Sequence, residues 1–304
     1  MRSWLQVSAD DEDRLAQIAG LATDAVILDL AGILPDTRSR ARARAREWLE
    51  AHRTQVIAQQ QQSRWVQISP LGSRWWRDDL QAVLHSAPDG IVLPRCSAPD
   101  QLQALTAELY ENEQREGLSH NAVRILPLLG STAASAFTTA EFATGANPRL
   151  AGFGWNAASL AKSLGATRVT DETGSLATPL RLVRAQVLMA ARARGVMPIE
   201  SPLAQDAGEE TFAAQAQAAR QDGFEGMIAT HPDQIPILNE IFSVTEHERG
   251  EARSIVAAFS ENSGGETAEV SGRIIDRSDL ARAERIMQRS GPPGGRTGTS
   301  HRLM

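Results

Sequence analysis

The chain of 304 residues holds one cysteine, Cys96, which excludes an internal disulfide and any cysteine-rich metal site. A lone thiol among apolar neighbours is expected to be buried for packing rather than to serve as a nucleophile. Nowhere do 18 apolar residues run together, so no membrane-spanning helix is expected. The opening residues, MRSWLQVSADDEDRL, have no apolar stretch of signal-peptide length, and the expectation is a soluble, cytoplasmic protein. Positive charge is not in excess: 31 Lys+Arg stand against 37 Asp+Glu, and the net charge of −6 argues against a nucleic-acid partner. Glycine-rich phosphate loops of the GxGxxG or Walker type are absent. No Ser–His–Asp set can be assigned either, because residue order alone does not show a triad.

What is present is apolar and periodic. Hydrophobic residues make up 42% of the chain, enough for a large core. Short apolar runs rich in β-branched residues recur at 3–7, 25–30, 65–69, 90–94, 123–129, 149–154, 198–201 and 226–230. Stretches with helical spacing lie between them, among them 37–52, 98–115 and 180–194. Fully apolar strands separated by amphipathic helices indicate a parallel sheet covered on its outer face. Eight such units predict an α/β fold, a (β/α)8 TIM barrel, spanning 1–259. The run at 198–201 is the weakest strand, being short and carrying Pro198. Beyond Phe259 come a polar linker over 260–267, the segment AEVSGRIID and a helical stretch at 280–288. These predict a C-terminal helical/hairpin extension over 260–289 that contacts a neighbouring subunit. Residues 290–304, SGPPGGRTGTSHRLM, have the composition of a disordered tail.

Helix starts are signalled by Asp10 before an acidic turn, by Ser97 before Ala98–Pro99–Asp100, and by Pro232 after His231. Arg38, Arg40, Arg42, Arg44 and Arg46 alternate with small residues. At helical spacing they spread around the cylinder, which predicts a solvated face with salt bridges rather than a nucleic-acid tract. Trp75 and Trp76 read as cover for a core edge or a subunit contact.

In such barrels the active site lies at the C-terminal ends of the strands. Those ends carry Asp29 to Gly32, Gln67 to Ser69, Arg95, Gly130 with Ser131, Asn156, Glu200 and His231. A divalent cation held there wants two or more carboxylates, since a hard ion prefers oxygen ligands. The fifth and sixth strand ends offer Gly130, Ser131, Thr132, Asn156 and Ser159, none of them acidic. Asp29 and Glu200 are the acids left. Asp29 could equally cap its loop or pair with an arginine, and His231 could cap a helix. Arg2 and Arg95 could bind a carboxylate or phosphate, or be held by nearby acids.

These strand ends, in order, resemble a known family. The stretches RSWLQV, DAVILDLAG, VQISPL with RDDL, PDGIVLPR, ILPLLGSTAASAF, SLAKSLGA, LVRAQVLMAARARG, GFEGMIATHPDQIPILNEIFSVT and SGRIID follow its pattern from Arg2 to Asp276. The chain is similar to the β subunit of citrate lyase and to malyl-CoA and citramalyl-CoA lyases, the HpcH/HpaI aldolase family. The resemblance implies cleavage or condensation of a carbon–carbon bond in a short hydroxyacyl-CoA ester. It also implies a magnesium ion on the hydroxy-carboxylate end, with charge stabilisation by that metal and a positioned acid/base pair.

The family's two metal-binding acids correspond here to Gly130 or Ser131 and to Ser159, so the resemblance implies no metal ligands and no expected cofactor, with CoA retained as a candidate ligand. The family's strand-three arginine corresponds to Gln67, its acidic pair after LDL to Ala31 and Gly32, a lysine to Met227, and its VPG to Val7–Ser8–Ala9. Arg2, Asp29, Arg95, Arg184, His231 with Pro232, and Asp276 survive. Asp276 resembles an acid lent to a neighbouring subunit's site.

The sequence therefore predicts a citrate lyase β-subunit-like protein that is non-catalytic or altered in chemistry. The alternative is an active, metal-independent lyase or aldolase-type enzyme acting on a short acyl-CoA or small hydroxy or oxo acid. The catalytic candidates are Asp29, His231 and Asp276. The substrate-binding candidates are Arg2, Gln67, Arg95, Ser131 and Ser159. Expected partners are an acyl-CoA or small carboxylic acid and further copies of the chain as a homotrimer or hexamer, or an active homologous subunit.

Overall fold

The computed structural model describes residues 1–53, 62–172, 174–203, 208–262 and 265–289. The tail expected at 290–304 lies outside the described residues. Strands and helices alternate: β1 (Ser3–Ser8), α1 (Glu12–Gln17), β2 (Ala25–Asp29), α2 (Arg38–Ala51), β3 (Ser63–Gln67), α3 (Trp76–Leu84), β4 (Gly90–Leu93) and α4 (Pro99–Glu116). Then follow β5 (Arg124–Leu129), α5 (Ala133–Thr138) with a 3-10 turn at Thr139–Ala143, β6 (Gly152–Trp155), α6 (Ala157–Ser163) and α7 (Thr178–Arg194). β7 (Met197–Glu200), α8 (Glu209–Asp222), β8 (Gly226–Ala229) and α9 (Gln234–Ile241) complete this first compact unit, Met1–Phe242.

The eight strands are parallel and closed into a barrel, β8 pairing with β1 through Ser3↔Met227 and Trp4↔Ile228. All eight predicted strands are present, and the fold is the expected (β/α)8 TIM barrel. The run at 198–201 is a strand despite Pro198, because Met197 and Pro198 pair with Gly152 and Phe153 while Ile199 pairs with Gly226.

Alternation along each strand divides the core into two layers. Trp4, Ala25, Ile27, Trp65, Val92, Leu126, Leu128, Ile199 and Ile228 fill the barrel interior. Their neighbours, such as Leu5, Val26, Leu28, Val66 and Ile91, pack outward against the helices. Trp4 and Trp65 meet at 5.1 Å between ring centroids. Gly90 makes room for them, because a Cβ there would lie 2.1 Å from the Trp65 ring. Each large side chain so buried contributes about 1.5–3 kcal/mol relative to exposure.

The N-terminal ends of the strands form a floor fastened by ion pairs. Arg2, just before β1, holds Asp24, just before β2, through its backbone N–H and guanidinium. Arg64 pairs with Asp89 ahead of β4. Arg149, ahead of β6, grips Glu113 of α4 in a bidentate pair at 2.5 and 2.6 Å, with both side chains fully buried. That guanidinium holds the Glu113 carboxyl below its ordinary value, against the burial that would raise it.

Four local expectations are corrected. Asp11, not Asp10, caps α1, accepting the Arg14 N–H, while Asp10 accepts the Ser8 hydroxyl. Ala98 occupies the cap position of α4, and the Ser97 N–H instead donates to Gln101. α9 begins at Gln234, past Pro232. The arginines of α2 are not one solvated face. Arg38 is buried, donating to the Leu30 and Ile33 carbonyls and to Ser69 and Asp79. Arg42 and Arg44 do make the expected salt bridges, to Asp79 and Glu12. Trp76 is buried, and Trp75 stacks under the Arg38, Arg42 and Arg74 guanidinium groups.

The second compact unit, Ser243–Met304, contains α10 (Glu246–Glu261), a hairpin of β9 (Thr267–Val270) and β10 (Arg273–Asp276), and α11 (Arg277–Arg289). Thr245 and Glu248 form a reciprocal capping box at the start of α10.

Candidate functional site

Counting by twos from the interior residues fixes which side chains enter the barrel mouth. Two residues past Trp4, Ile27, Trp65 and Ile228 come Gln6, Asp29, Gln67 and Thr230. Strand register brings the middle pair level, Asp29 facing Gln67 across β2 and β3. The result is a polar layer resting on the apolar interior.

Asp29 is its centre. Gln6 Nε2 donates to Oδ2 at 2.8 Å and Gln67 Nε2 to Oδ1 at 2.9 Å. The Ala31 N–H adds a 2.7 Å bond to Oδ1, and the Gly32 N–H also donates to the carboxylate. A carboxylate accepts only, so both glutamines must turn their NH₂ groups inward. Burial pushes the Asp29 carboxyl above the ordinary value, and these four donors oppose the shift without cancelling it. All four donors are neutral, and among the described residues no cation pairs with Asp29.

Thr230 completes the layer at β8. Its Oγ1 is buried without a hydrogen-bond partner among the described residues, while its carbonyl accepts from Arg14 and its N–H donates to Gln234. His231 follows at the rim, half exposed, its Nδ1 3.3 Å from Asp233 and near the Asp233 N–H. It thus sits at the entry to α9, the local arrangement that its sequence position also allowed.

Arg95 stands beyond β4 in the left-handed region, with φ of 52°. A side chain other than glycine pays roughly 1–2 kcal/mol for that conformation, and such residues repay inspection as functional candidates. Its guanidinium is exposed and has no hydrogen bond or ion pair among the described residues.

The remaining predicted residues of the first unit lie apart from this layer. Arg2 is at the floor, on Asp24, at the opposite end of the barrel from the mouth. Glu200 faces outward, because Ile199 before it faces inward. Its carboxylate accepts from Trp155 Nε1 and from Arg184 Nε, each at 2.6 Å, and Arg184 also holds Asp222. Burial raises the Glu200 carboxyl, opposed chiefly by Arg184. Asp276, in the second unit, caps α11, its Oδ1 accepting the Ser278 and Asp279 N–H groups. Cys96 is fully buried, and burial pushes its thiol up to about 12, so it serves packing as expected.

The loops after β5 and β6 test whether magnesium fits. Gly130 is in the left-handed region at φ of 60°, and a Cβ there would lie 2.3 Å from Val183 Cγ1. Ser131 is buried, its hydroxyl donating to the Leu128 carbonyl at 3.4 Å. Ser159 belongs to the first turn of α6, where its N–H donates to the Asn156 side chain. Thr132 is occupied with Ser135 in a capping box. These are neutral groups already engaged in local structure, and a hard dication selects carboxylates. The residues present do not fit the metal.

Gln6 and Thr230 were missed by sequence reasoning. Both were readable by parity, two positions beyond an interior tryptophan and an interior isoleucine. A surface groove of about 330 Å³ lies outside the barrel between α4 and the segment before β6, and none of the predicted site residues lines it.

Comparison with known proteins is consistent along the chain. The HpcH/HpaI aldolase/citrate lyase family profile matches residues 2–232. A (3S)-malyl-CoA thioesterase of Cereibacter sphaeroides is 31% identical over 301 residues, covering 94% of this chain and 95% of that protein. The citrate lyase subunit beta-like protein of Deinococcus radiodurans is 28% identical over 301 residues, covering 94% and 96%. The crystal structure of CitE from Mycobacterium tuberculosis, in complex with magnesium, acetoacetate and coenzyme A, superposes with a TM-score of 0.67. It shares 26% identity and covers 95% of this chain and 98% of that one.

Proposed function

We propose, because the chain belongs to the HpcH/HpaI aldolase/citrate lyase family, that its barrel mouth binds a CoA ester without magnesium-dependent carbon–carbon cleavage. Relatives named for malyl-CoA, and the CitE structure holding coenzyme A, support the ligand class. One observation carries the rest: Gly130, one of the two positions where the resemblance expects an acid, is held in the left-handed region, and a Cβ there would meet Val183.

The chemistry follows from what remains. Enolate formation requires a preformed positive or hydrogen-bonding site for developing negative charge, and removing one such donor costs roughly 10²–10³ in rate. Here the metal acids and the strand-three arginine are replaced together, and the mouth centres on a carboxylate. Asp29 remains as a group able to accept a proton, held in place by Gln6 and Gln67. A metal-independent lyase or hydrolase built on Asp29 is the second reading, favoured by its raised pKa. His231 and Arg95 at the rim suit ligand binding in both readings, and Arg2, at the floor on Asp24, has no role at this layer.

Turnover of citryl-, malyl- and citramalyl-CoA, with excess Mg²⁺ and again with EDTA, tests the proposal. The expected result is no Mg²⁺-dependent cleavage, with calorimetric binding of at least one CoA ester. Cleavage abolished by EDTA would overturn it, and cleavage indifferent to EDTA would favour the second reading. Family membership also supports a homotrimer or hexamer in which segment 260–289 reaches a neighbour, to be read by sedimentation of the full chain. No helix among the described residues is long and apolar enough to cross a membrane.

A further inference from the structure

The mouth carries a charge opposite to the one a dicarboxylic ligand needs. Its interior layer is Gln6, Asp29, Gln67 and Thr230, and the single formal charge among these four side chains is the Asp29 carboxylate. Every donor to it is neutral. The nearby cations are otherwise committed: Arg14 bonds the Thr230 carbonyl and faces Asp11, and Arg38 is bound to carbonyls, Ser69 and Asp79. Arg95 has no ion-pair partner among the described residues, but it is exposed beyond the end of β4, where it suits a phosphate at the rim rather than a group in the barrel. The Thr230 hydroxyl is buried and without a partner among the described residues, and an orphaned hydroxyl in a ligand cleft asks for a hydrogen-bonding group.

Building on the reading that a CoA ester binds at the mouth, we propose that the acyl group it accepts is short, uncharged and hydroxylated, rather than one that carries a free carboxylate. A hydroxyl or neutral carbonyl can bond to Thr230 and to the spare lone pairs and donors of Gln6 and Gln67. A second carboxylate would stand beside Asp29 in a partly desolvated cleft, where like charges repel strongly. Discrimination of roughly 10–100-fold follows from like charges held a few ångströms apart.

Calorimetric titration of the full chain with 3-hydroxybutyryl-CoA and with malyl-CoA decides the matter. The wild type is expected to bind 3-hydroxybutyryl-CoA at least 10-fold more tightly. Asp29→Asn should narrow that ratio by removing the repulsion, and Gln67→Arg should narrow or reverse it by adding a cation to the layer. Circular dichroism confirms that each variant is folded, and the wild-type ratio stands even if one is not. Equal or tighter binding of malyl-CoA by the wild type overturns this inference and leaves the proposed function intact. Failure of both esters, and of CoA itself, to bind overturns the proposed function and this inference with it.

Discussion

Replacing Gly130 by alanine probes the feature on which the proposed loss of the metal rests. The new Cβ would lie 2.3 Å from Val183 Cγ1, and no side-chain torsion of alanine relieves that contact. Holding an L-residue in the left-handed region costs about 1–2 kcal/mol. Forcing a methyl into a packed site adds roughly 1–3 kcal/mol, since Val183 is buried. The sum is about 2–5 kcal/mol, which at roughly 2–4 °C per kcal/mol for a domain of this size lowers the melting temperature by about 4–20 °C. A thermal melt followed by circular dichroism measures it. In a double-mutant cycle with Val183→Ala, the steric part should be recovered as a coupling of about 1–3 kcal/mol, leaving the backbone part behind. Gly130→Glu should be destabilised at least as much and should show no heat of Mg²⁺ binding. The reasoning is refuted if Gly130→Ala melts within 2 °C of the wild type, or if Gly130→Glu alone restores tight Mg²⁺ binding.

Other consequences can be checked separately. Arg149→Met leaves Glu113 charged and unpaired in a fully buried site, and should cost about 3–5 kcal/mol in urea unfolding. Because the Glu113 pKa is lowered on folding, its stabilisation is complete above the ordinary value of 4.5 and is lost as pH falls through the lowered one. The acid limb of the stability curve should therefore flatten in Glu113→Gln. Asp29 runs the other way: its pKa is raised, so its contribution is most favourable below the ordinary value of 3.8 and declines as pH rises through the folded one. Asp29→Asn should then melt no lower than the wild type at pH 8, and a clear loss of stability there would contradict the assignment. Cys96, buried with its thiol pushed up to about 12, should resist an aromatic disulfide reagent in the native protein and react fully in urea.

The fold was legible in the sequence because its signal is repeated eight times. Each strand is a continuous apolar run, and the boundaries at β1, β2, β4 and β8 differ from expectation by only a residue. β6 begins later than expected, at Gly152, because Arg149 and Leu150 belong to the floor, where their backbone carbonyls accept from Arg124. The site was legible in part. Asp29 and Gln67 were placed at strand ends and do meet there, whereas parity along each strand was needed to add Gln6 and to turn Glu200 outward. Arg2 was read as a substrate-binding candidate, yet it precedes its strand and pairs with Asp24 at the floor. Burial of Arg38 could not be read locally. It depends on carbonyls from the loop after β2 and on Asp79 from α3, which only the closed barrel brings together.

The ion-paired floor has a consequence for how this chain can change. Barrel closure is fastened at Asp24, Asp89 and Glu113, at the end opposite the mouth. Substitutions at the rim are therefore decoupled from folding, and an ancestral activity could be erased there by drift without selection ever seeing an unfolded protein. The same separation makes the chain a ready chassis for directed evolution. A library randomised at positions 6, 29, 67, 95 and 230 should keep a large folded fraction, whereas one randomised at 2, 24, 113 and 149 should lose most of its members.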